Sequence, residues 1–209
     1  MVYTRIAAIL TFLAVYLFAS VSSYIYVDGI AQNPVIISTT DDSNDAIGEE
    51  LLINAYNSTL WINTPITTEC GMFYQKLCPP ANFTAMYINS DGTVALTSMV
   101  PGGQQLYIDP LSSALAYLTI RTAGPPVGAI TKGFKIGENR VKRQVLINDS
   151  GQWVACGLGQ TNSPYMIFLQ QYGKTLDPKY LPNGNANNCN VIQIATMPVA
   201  DRAYAWAYS

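Results

Sequence analysis

Beyond its first two dozen residues, this chain alternates apolar and polar positions with a period of two. The pattern is plainest from Phe83. Phe83, Ala85 and Tyr87 point one way and Thr84, Met86 and Ile88 the other, as in a half-buried strand. Asn89-Ser90-Asp91-Gly92 interrupts the alternation, and an Asp-Gly step supplies the positive φ that a tight hairpin turn demands. Residues 93–99 return as a strand, and Pro101-Gly102-Gly103 turns again. Residues 104–109 then carry Leu106 and Ile108 on one face and Gln105 and Tyr107 on the other, and after Pro110-Leu111-Ser112-Ser113 residues 114–122 follow. Strands at a spacing of roughly ten residues predict an antiparallel meander.

The rest of the chain reads similarly. Phe134 and Ile136, then Val141, Val145 and Ile147, are strand pieces, and Asp149-Ser150-Gly151 turns into Gln152-Trp153-Val154-Ala155-Cys156. Residues 165–171 form an apolar strand, 174–188 a Pro/Gly/Asn loop, and 191–196 and 204–208 close the sheet. Upstream, residues 49–56 read as a helical turn or a strand, and Leu60-Trp61-Ile62 as a short strand before Pro65. After the leader no long stretch keeps a helical period, so the expected fold is all-β: one antiparallel sandwich or closed barrel. Asp-Gly and Asp-Ser-Gly turns recurring at 91 and 149 make a β-trefoil the lesser alternative.

The first 46 residues differ. A positive MVYTR stretch precedes an apolar run over 6–19, broken only by Thr11, and Val21-Ser22-Ser23 offers small residues at the cleavage positions. This predicts a signal peptide over 1–23. The rival is a retained anchor lengthened by Tyr24-Ile25-Tyr26-Val27. The run alone is shorter than the roughly 20 residues of a span, so no stable span is expected once the leader is removed. Residues 24–46 join Val35-Ile36-Ile37 to the acidic Asp41-Asp42-Ser43-Asn44-Asp45. They read as a solvated segment rather than a calcium loop, which needs a glycine and a bidentate glutamate at loop spacing. The β-rich domain is then expected over 47–209. The closing AYAWAYS lacks the polar spacer and long apolar tail of a lipid-anchor signal.

Composition sharpens the chemistry. Charged residues make up 11% of the 209 and histidine is absent, which removes the commonest general base and the commonest metal ligand. The net charge of −2, or −3 without Arg5, offers no basic field to nucleic acid. Neither a metal site nor a cofactor is expected. Four cysteines, Cys70, Cys78, Cys156 and Cys189, read as two disulfides in an exported chain. Of three connectivities, Cys70–Cys78 with Cys156–Cys189 is favoured because the first pair shares one local loop. Asn57-Ser58-Thr59, Asn82-Phe83-Thr84 and Asn148-Asp149-Ser150 are N-glycosylation acceptors, expected at turns or exposed strand ends.

Several motifs carry a functional and a plainer reading. Arg140-Val141-Lys142-Arg143 matches a dibasic processing site, and the plainer reading is an exposed hairpin whose charges guard a sheet edge. Gly157-Leu158-Gly159-Gln160 has no following helix and reads as a turn rather than a phosphate loop. Asp91, Asp109 and Asp149 are the candidates for an acid pair in glycoside cleavage, though two of them lie in tight turns where Asp is expected anyway. Trp61, Trp153, Tyr165 and Trp206 are candidates for stacking on sugars, with core filling as the alternative.

The motifs together resemble a known family. Cys70, Cys78-Pro79-Pro80, Asn82-Phe83-Thr84, Val100-Pro101-Gly102-Gly103-Gln104-Gln105-Leu106-Tyr107-Ile108-Asp109-Pro110, Trp153-Val154-Ala155-Cys156, Cys189 and Ala205-Trp206-Ala207-Tyr208 resemble the fungal PhiA-like cell wall proteins, also labelled IgE-binding proteins. The likeness spans residues 50–209; Gly157 stands where proline is expected, and the acidic segment before residue 50 is extra. It implies a secreted, wall-associated protein of conidium-forming cells, with some relatives recognised by host IgE, and it transfers no catalytic residues. The expected function is therefore a non-catalytic structural or glycan-binding wall protein, with wall polysaccharide or other wall proteins as partners. The alternatives are a hydrolase using aspartate pairs, and a filament or coat subunit in which 24–46 inserts as a strand into a neighbour.

Overall fold

A computed structural model describes residues 34–40, 47, 50–70, 81–100, 103–119, 124–159, 164–200 and 205–209. The predicted leader, the Asp41–Asp45 run and Cys78 lie outside the described residues. The strands are β1 (Val35–Thr39), β2 (Ile53–Tyr56), β3 (Thr59–Ile62), β4 (Thr68–Glu69), β5 (Ala85–Ile88), β6 (Val94–Leu96), β7 (Gln104–Ile108) and β8 (Leu115–Tyr117). They continue with β9 (Phe134–Glu138), β10 (Gln144–Asn148), β11 (Gly151–Gly157), β12 (Tyr165–Gln171), β13 (Cys189–Val191), β14 (Ile194–Pro198) and β15 (Ala207–Tyr208).

The fold is an all-β barrel. Its ladder runs β11-β12-β3-β8-β7-β6-β5-β1-β14-β10 and returns to β11 through Asn148↔Gly151. Closure leaves the ring itself no free edge, which is how an all-β chain avoids pairing with its neighbours. β2 lines up on β3, β9 on β10 and β13 on β11, outside the ring, while β4 and β15 form a separate two-stranded piece. A trefoil does not form: the turns at 91 and 149 join successive strands of this one ladder.

Period-two alternation fills the interior. In β7, Gln104, Leu106 and Ile108 are buried while Gln105 and Tyr107 are half-buried. Ile37, Ile53, Leu60, Ile62, Met86, Leu96, Ile167, Leu169 and Ile194 join Leu106 and Ile108 in one core. Each such side chain contributes about 1.5–3 kcal/mol by leaving water. The Asp-Gly turn forms as expected, with Gly92 at φ +79 and the Thr93 amide and hydroxyl donating to Asp91 Oδ1 at 3.0 and 2.7 Å. Gly151 is required for a different reason. A Cβ there would lie 2.3 Å from the Gln170 carbonyl oxygen, so the β11–β12 ladder can close only over a residue without a side chain.

Two expectations need correction. β1 is a barrel strand, paired through Val35↔Pro198 to Thr39↔Ile194 with β14 and through Val35↔Met86 with β5. The domain therefore starts before residue 47, and Val35-Ile36-Ile37 is consumed inside its own fold, buried by barrel strands rather than left to insert in a neighbour. Val141 is in the exposed β9–β10 turn, not in a strand. Of the two readings of residues 49–56, the strand is the one that forms, with Ile53–Tyr56 paired to β3.

A second, smaller core lies outside the ring. Val154, Cys156 and Phe168 on the outer faces of β11 and β12 meet Ala114 and Leu181, with Met166, Leu176 and Cys189 packed against them. The 172–188 loop covers this cluster through two single 3₁₀ turns, Pro178–Tyr180 and Ala186–Asn188, capped by the Asp177 and Asn185 side chains. Cys156 and Cys189 face each other in the β11–β13 register and are joined in a disulfide, so the loop is tied at its far end.

Candidate functional site

Where the β2–β3 hairpin meets β4 and β15, a cavity of about 580 Å³ opens. Tyr56, Asn57, Ser58, Thr67, Glu69, Thr119, Tyr208 and Ser209 line it among the described residues. The hairpin is built by its sequence. Only Asn57 and Ser58 separate β2 from β3, and both take positive φ, +49 and +65, the geometry of a type I′ turn that follows the natural strand twist. Asn tolerates this region better than most residues.

Hydrogen bonds fix the turn to the barrel. The Asn57 N–H donates to the main-chain oxygen of Ser209 at 3.0 Å, and Ser209 N–H donates to Thr67 O at 3.0 Å. The Tyr117 hydroxyl accepts from Ser58 N–H at 3.2 Å and donates to Ser209 O at 2.8 Å. The Thr67 hydroxyl donates to the same oxygen. Burial pushes the Tyr117 phenol far above its ordinary range, so it stays a neutral donor here. Below it, fully buried Gln104 clamps the last strand: Nε2 donates to Leu118 O at 2.9 Å and Tyr208 O at 2.7 Å, and Oε1 accepts from Tyr208 N–H at 2.7 Å. All the polar atoms of that side chain's amide are engaged at both ends, as a buried amide requires.

The four candidate stacking aromatics are not brought together. Trp153 is buried, donates its indole N–H to Leu146 O at 2.7 Å and stacks on Phe134, so it fills the core and offers no face to a ligand. Tyr165 is packed against the interior cluster, since it pairs with inward-facing Ile62. Trp206 is half-buried. Trp61 lies on the outer face, its indole donating to Thr59 Oγ1 at 2.7 Å, with Tyr56 edge-on to it at 6.2 Å between ring centres.

The acids lie in three turns, and the turns of Asp91 and Asp149 both abut the 132–135 segment, whose Lys132 and Lys135 pair with them. Asp91 caps the β5–β6 turn, and bonds from Thr93, then Lys132, hold its carboxyl below the usual range. Asp109 Oδ1 accepts from Leu111 N–H, Ser112 N–H and Ser112 Oγ at 3.0, 2.7 and 2.8 Å. Asp149 is ion-paired with Lys135 at the surface. No group of three metal-ligating side chains occurs among the described residues.

The three acceptor asparagines fare differently. Asn57 is exposed, and its side-chain amide makes no hydrogen bond among the described residues. Asn82 is exposed, beside a Thr84 whose buried hydroxyl accepts from Ala55 N–H at 2.7 Å. Asn148 is 3% exposed; its Oδ1 accepts from Ser150 N–H at 3.0 Å and its Nδ2 donates to Lys132 O at 3.3 Å. Arg140, Val141 and Lys142 are exposed at the β9–β10 tip, and Arg143 is half-buried, its N–H bonded to Asn139 Oδ1 at 2.9 Å. Gly157 ends β11 and Gly159 follows in a bend at φ +87; Gln160 lies outside the described residues. Cys70 is disulfide-bonded; Cys78, its expected partner, lies outside the described residues.

The cavity and its clamp escaped the sequence reading. One signal was available: Gln104 shares the inward register of Leu106 and Ile108, and a polar residue at such a position must bond something buried.

Comparison with known proteins bears on the whole domain. An uncharacterised secreted protein of Arthroderma benhamiae is 25% identical over 162 residues, covering 77% of this chain and 79% of that one. No solved structure matches. The family model described as PhiA-like secreted protein matches residues 41–209, everything in the barrel but β1; the chain belongs to the PhiA-like secreted protein family.

Proposed function

We propose that this secreted protein is a non-catalytic component of the cell wall, a closed and cross-linked barrel that persists there and adheres to wall polysaccharide or to other wall proteins. The observation that carries the reading is the employment of the acids. Hydrolysis of a glycoside needs two carboxyls facing each other across a cleft, roughly 5–10 Å apart. Asp109 is spent on its own turn, Asp91 on its turn and on Lys132, and Asp149 on Lys135, and Glu69 is the one side-chain carboxylate among the described residues that line the cavity. The placement of β1 inside the barrel removes the strand that a filament reading would have donated.

Adhesion is tested by incubating the purified glycoprotein with insoluble chitin, β-glucan, mannan and isolated walls. Depletion from solution by at least one of them is expected, with no reducing ends released. Failure to bind any of the four would overturn the adhesive role, and release of reducing ends would overturn the non-catalytic one.

A further inference from the structure

Three sequons share one motif, and the fold equips one of them to hold its own sugar. In Tyr56-Asn57-Ser58-Thr59 the acceptor occupies the first corner of a two-residue type I′ turn. Its side-chain amide is exposed and without a hydrogen-bonding partner among the described residues, so modification sacrifices no contact. Tyr56 and Thr59 are direct cross-strand partners, hence on one face of the hairpin. Asn57 and Tyr56 line the same cavity. An aromatic ring thus stands next to the point of attachment, and Trp61 holds that ring edge-on from the other side.

We infer that Asn57 carries an N-linked glycan whose first N-acetylglucosamine lies on the Tyr56 ring and occupies the mouth of the cavity, locking the β2–β3 hairpin against the Ser209 end of the barrel. The linkage forms in the secretory pathway from a lipid diphosphate-linked oligosaccharide. Asn57 Nδ2 bonds to the anomeric carbon as the carbon–oxygen bond to the diphosphate breaks; the amide nitrogen gives up one proton and the lipid diphosphate departs. The sugar then has two complementary surfaces to meet. The C–H face of a pyranose is apolar and packs on an aromatic ring. Its hydroxyls and acetamido group face a wall of Ser58, Thr67 and Thr119 hydroxyls and the Glu69 carboxylate. At about 580 Å³ the cavity lies within the roughly 300–1,000 Å³ range of small-ligand sites. The turn is also held before the sugar arrives, by Tyr117 and Ser209, so little ordering remains to oppose the contact.

The test is a double-mutant cycle on the secreted protein: wild type, Asn57→Gly, Tyr56→Thr and both together. Glycine removes the acceptor yet accepts the positive φ, and the cycle cancels each substitution's separate effect on the fold. Peptide mass spectrometry is expected to find Asn57 occupied in wild type and in Tyr56→Thr. Loss of the glycan is expected to lower Tm by roughly 2–4 °C when Tyr56 is present and by far less when it is threonine. Proton spectra of protein trimmed to one sugar should show N-acetylglucosamine signals shifted upfield by the tyrosine ring, and the shift should vanish in Tyr56→Thr. An unoccupied Asn57 overturns the inference. So does an equal Tm loss on both Tyr56 backgrounds, or a sugar whose proton shifts ignore the Tyr56 substitution.

Discussion

Two hairpins of this barrel present the same acceptor motif and put it to opposite uses. At the β2–β3 turn Asn57 takes a positive φ and holds its amide out beside a cavity. At the β10–β11 turn Asn148 is the last residue of its strand, turned inward, with both ends of its amide bonded to backbone. The motif specifies what an enzyme can recognise in an unfolded chain. Burial and hydrogen bonding determine which modified products can still fold. A glycan on Asn148, a residue 3% exposed, would have to displace its bond to Lys132 O, whereas a glycan on Asn57 displaces nothing that the described residues provide.

The contrast can be broken most severely at Gly151. Gly151→Ala places a methyl against the Gln170 carbonyl, and because that obstacle is backbone it cannot swing aside; a loss of about 3 kcal/mol or more is expected, read as a fall in the urea midpoint or as failure of secretion. Asn148→Ala is next. It removes two part-buried hydrogen bonds, from Ser150 N–H and to Lys132 O, and about 2 kcal/mol should disappear from the unfolding free energy. Tyr117→Phe removes the hydroxyl's two bonds, from Ser58 N–H and to Ser209 O, while keeping the ring and the Asn57–Ser209 bond; roughly 1–2 kcal/mol is expected, with faster amide exchange at Ser58 and Ser209. The same Asn57→Gly change made in unglycosylated protein should cost no more than about 0.5 kcal/mol, because the asparagine side chain does nothing there until it is modified.

The smallest effect concerns acidity. Thr93 and Lys132 depress the Asp91 carboxyl in the folded protein, so its stabilising share is present above the unfolded aspartate pKa, near 3.9, and is lost as pH falls through the lower folded value. Asp91→Asn should therefore remove that small share at neutral pH, leave stability in strong acid unchanged, and so flatten the acid limb of a stability-versus-pH curve slightly.

Legibility in the sequence followed the range of the interaction. The meander from β5 to β8 was readable because alternation and an Asp-Gly turn are local signals, and the pairs they group on one face, Met86 with Ile88 and Leu106 with Ile108, are buried. β1 was not readable. Val35-Ile36-Ile37 does not alternate and adjoins an acidic run, and only pairing with β14, about 160 residues downstream in the register, makes it a strand. Trp153 and Tyr165 could be named as aromatic but not placed, because which face they occupy depends on strand register. The cavity is the extreme case: its walls come from residues 56–58, 67, 69, 119 and 208–209, and no window of sequence contains them together. Asn148 shows the same limit, since the carbonyl that captures its amide lies 16 residues away.

Site-by-site glycan occupancy of the secreted protein, measured by peptide mass spectrometry after proteolysis under non-reducing conditions, tests the central claim most directly. The account predicts sugar on Asn57, an unmodified Asn148, and a Cys156–Cys189 cross-linked peptide. A folded, secreted species carrying sugar on Asn148 with Asn57 bare would contradict it.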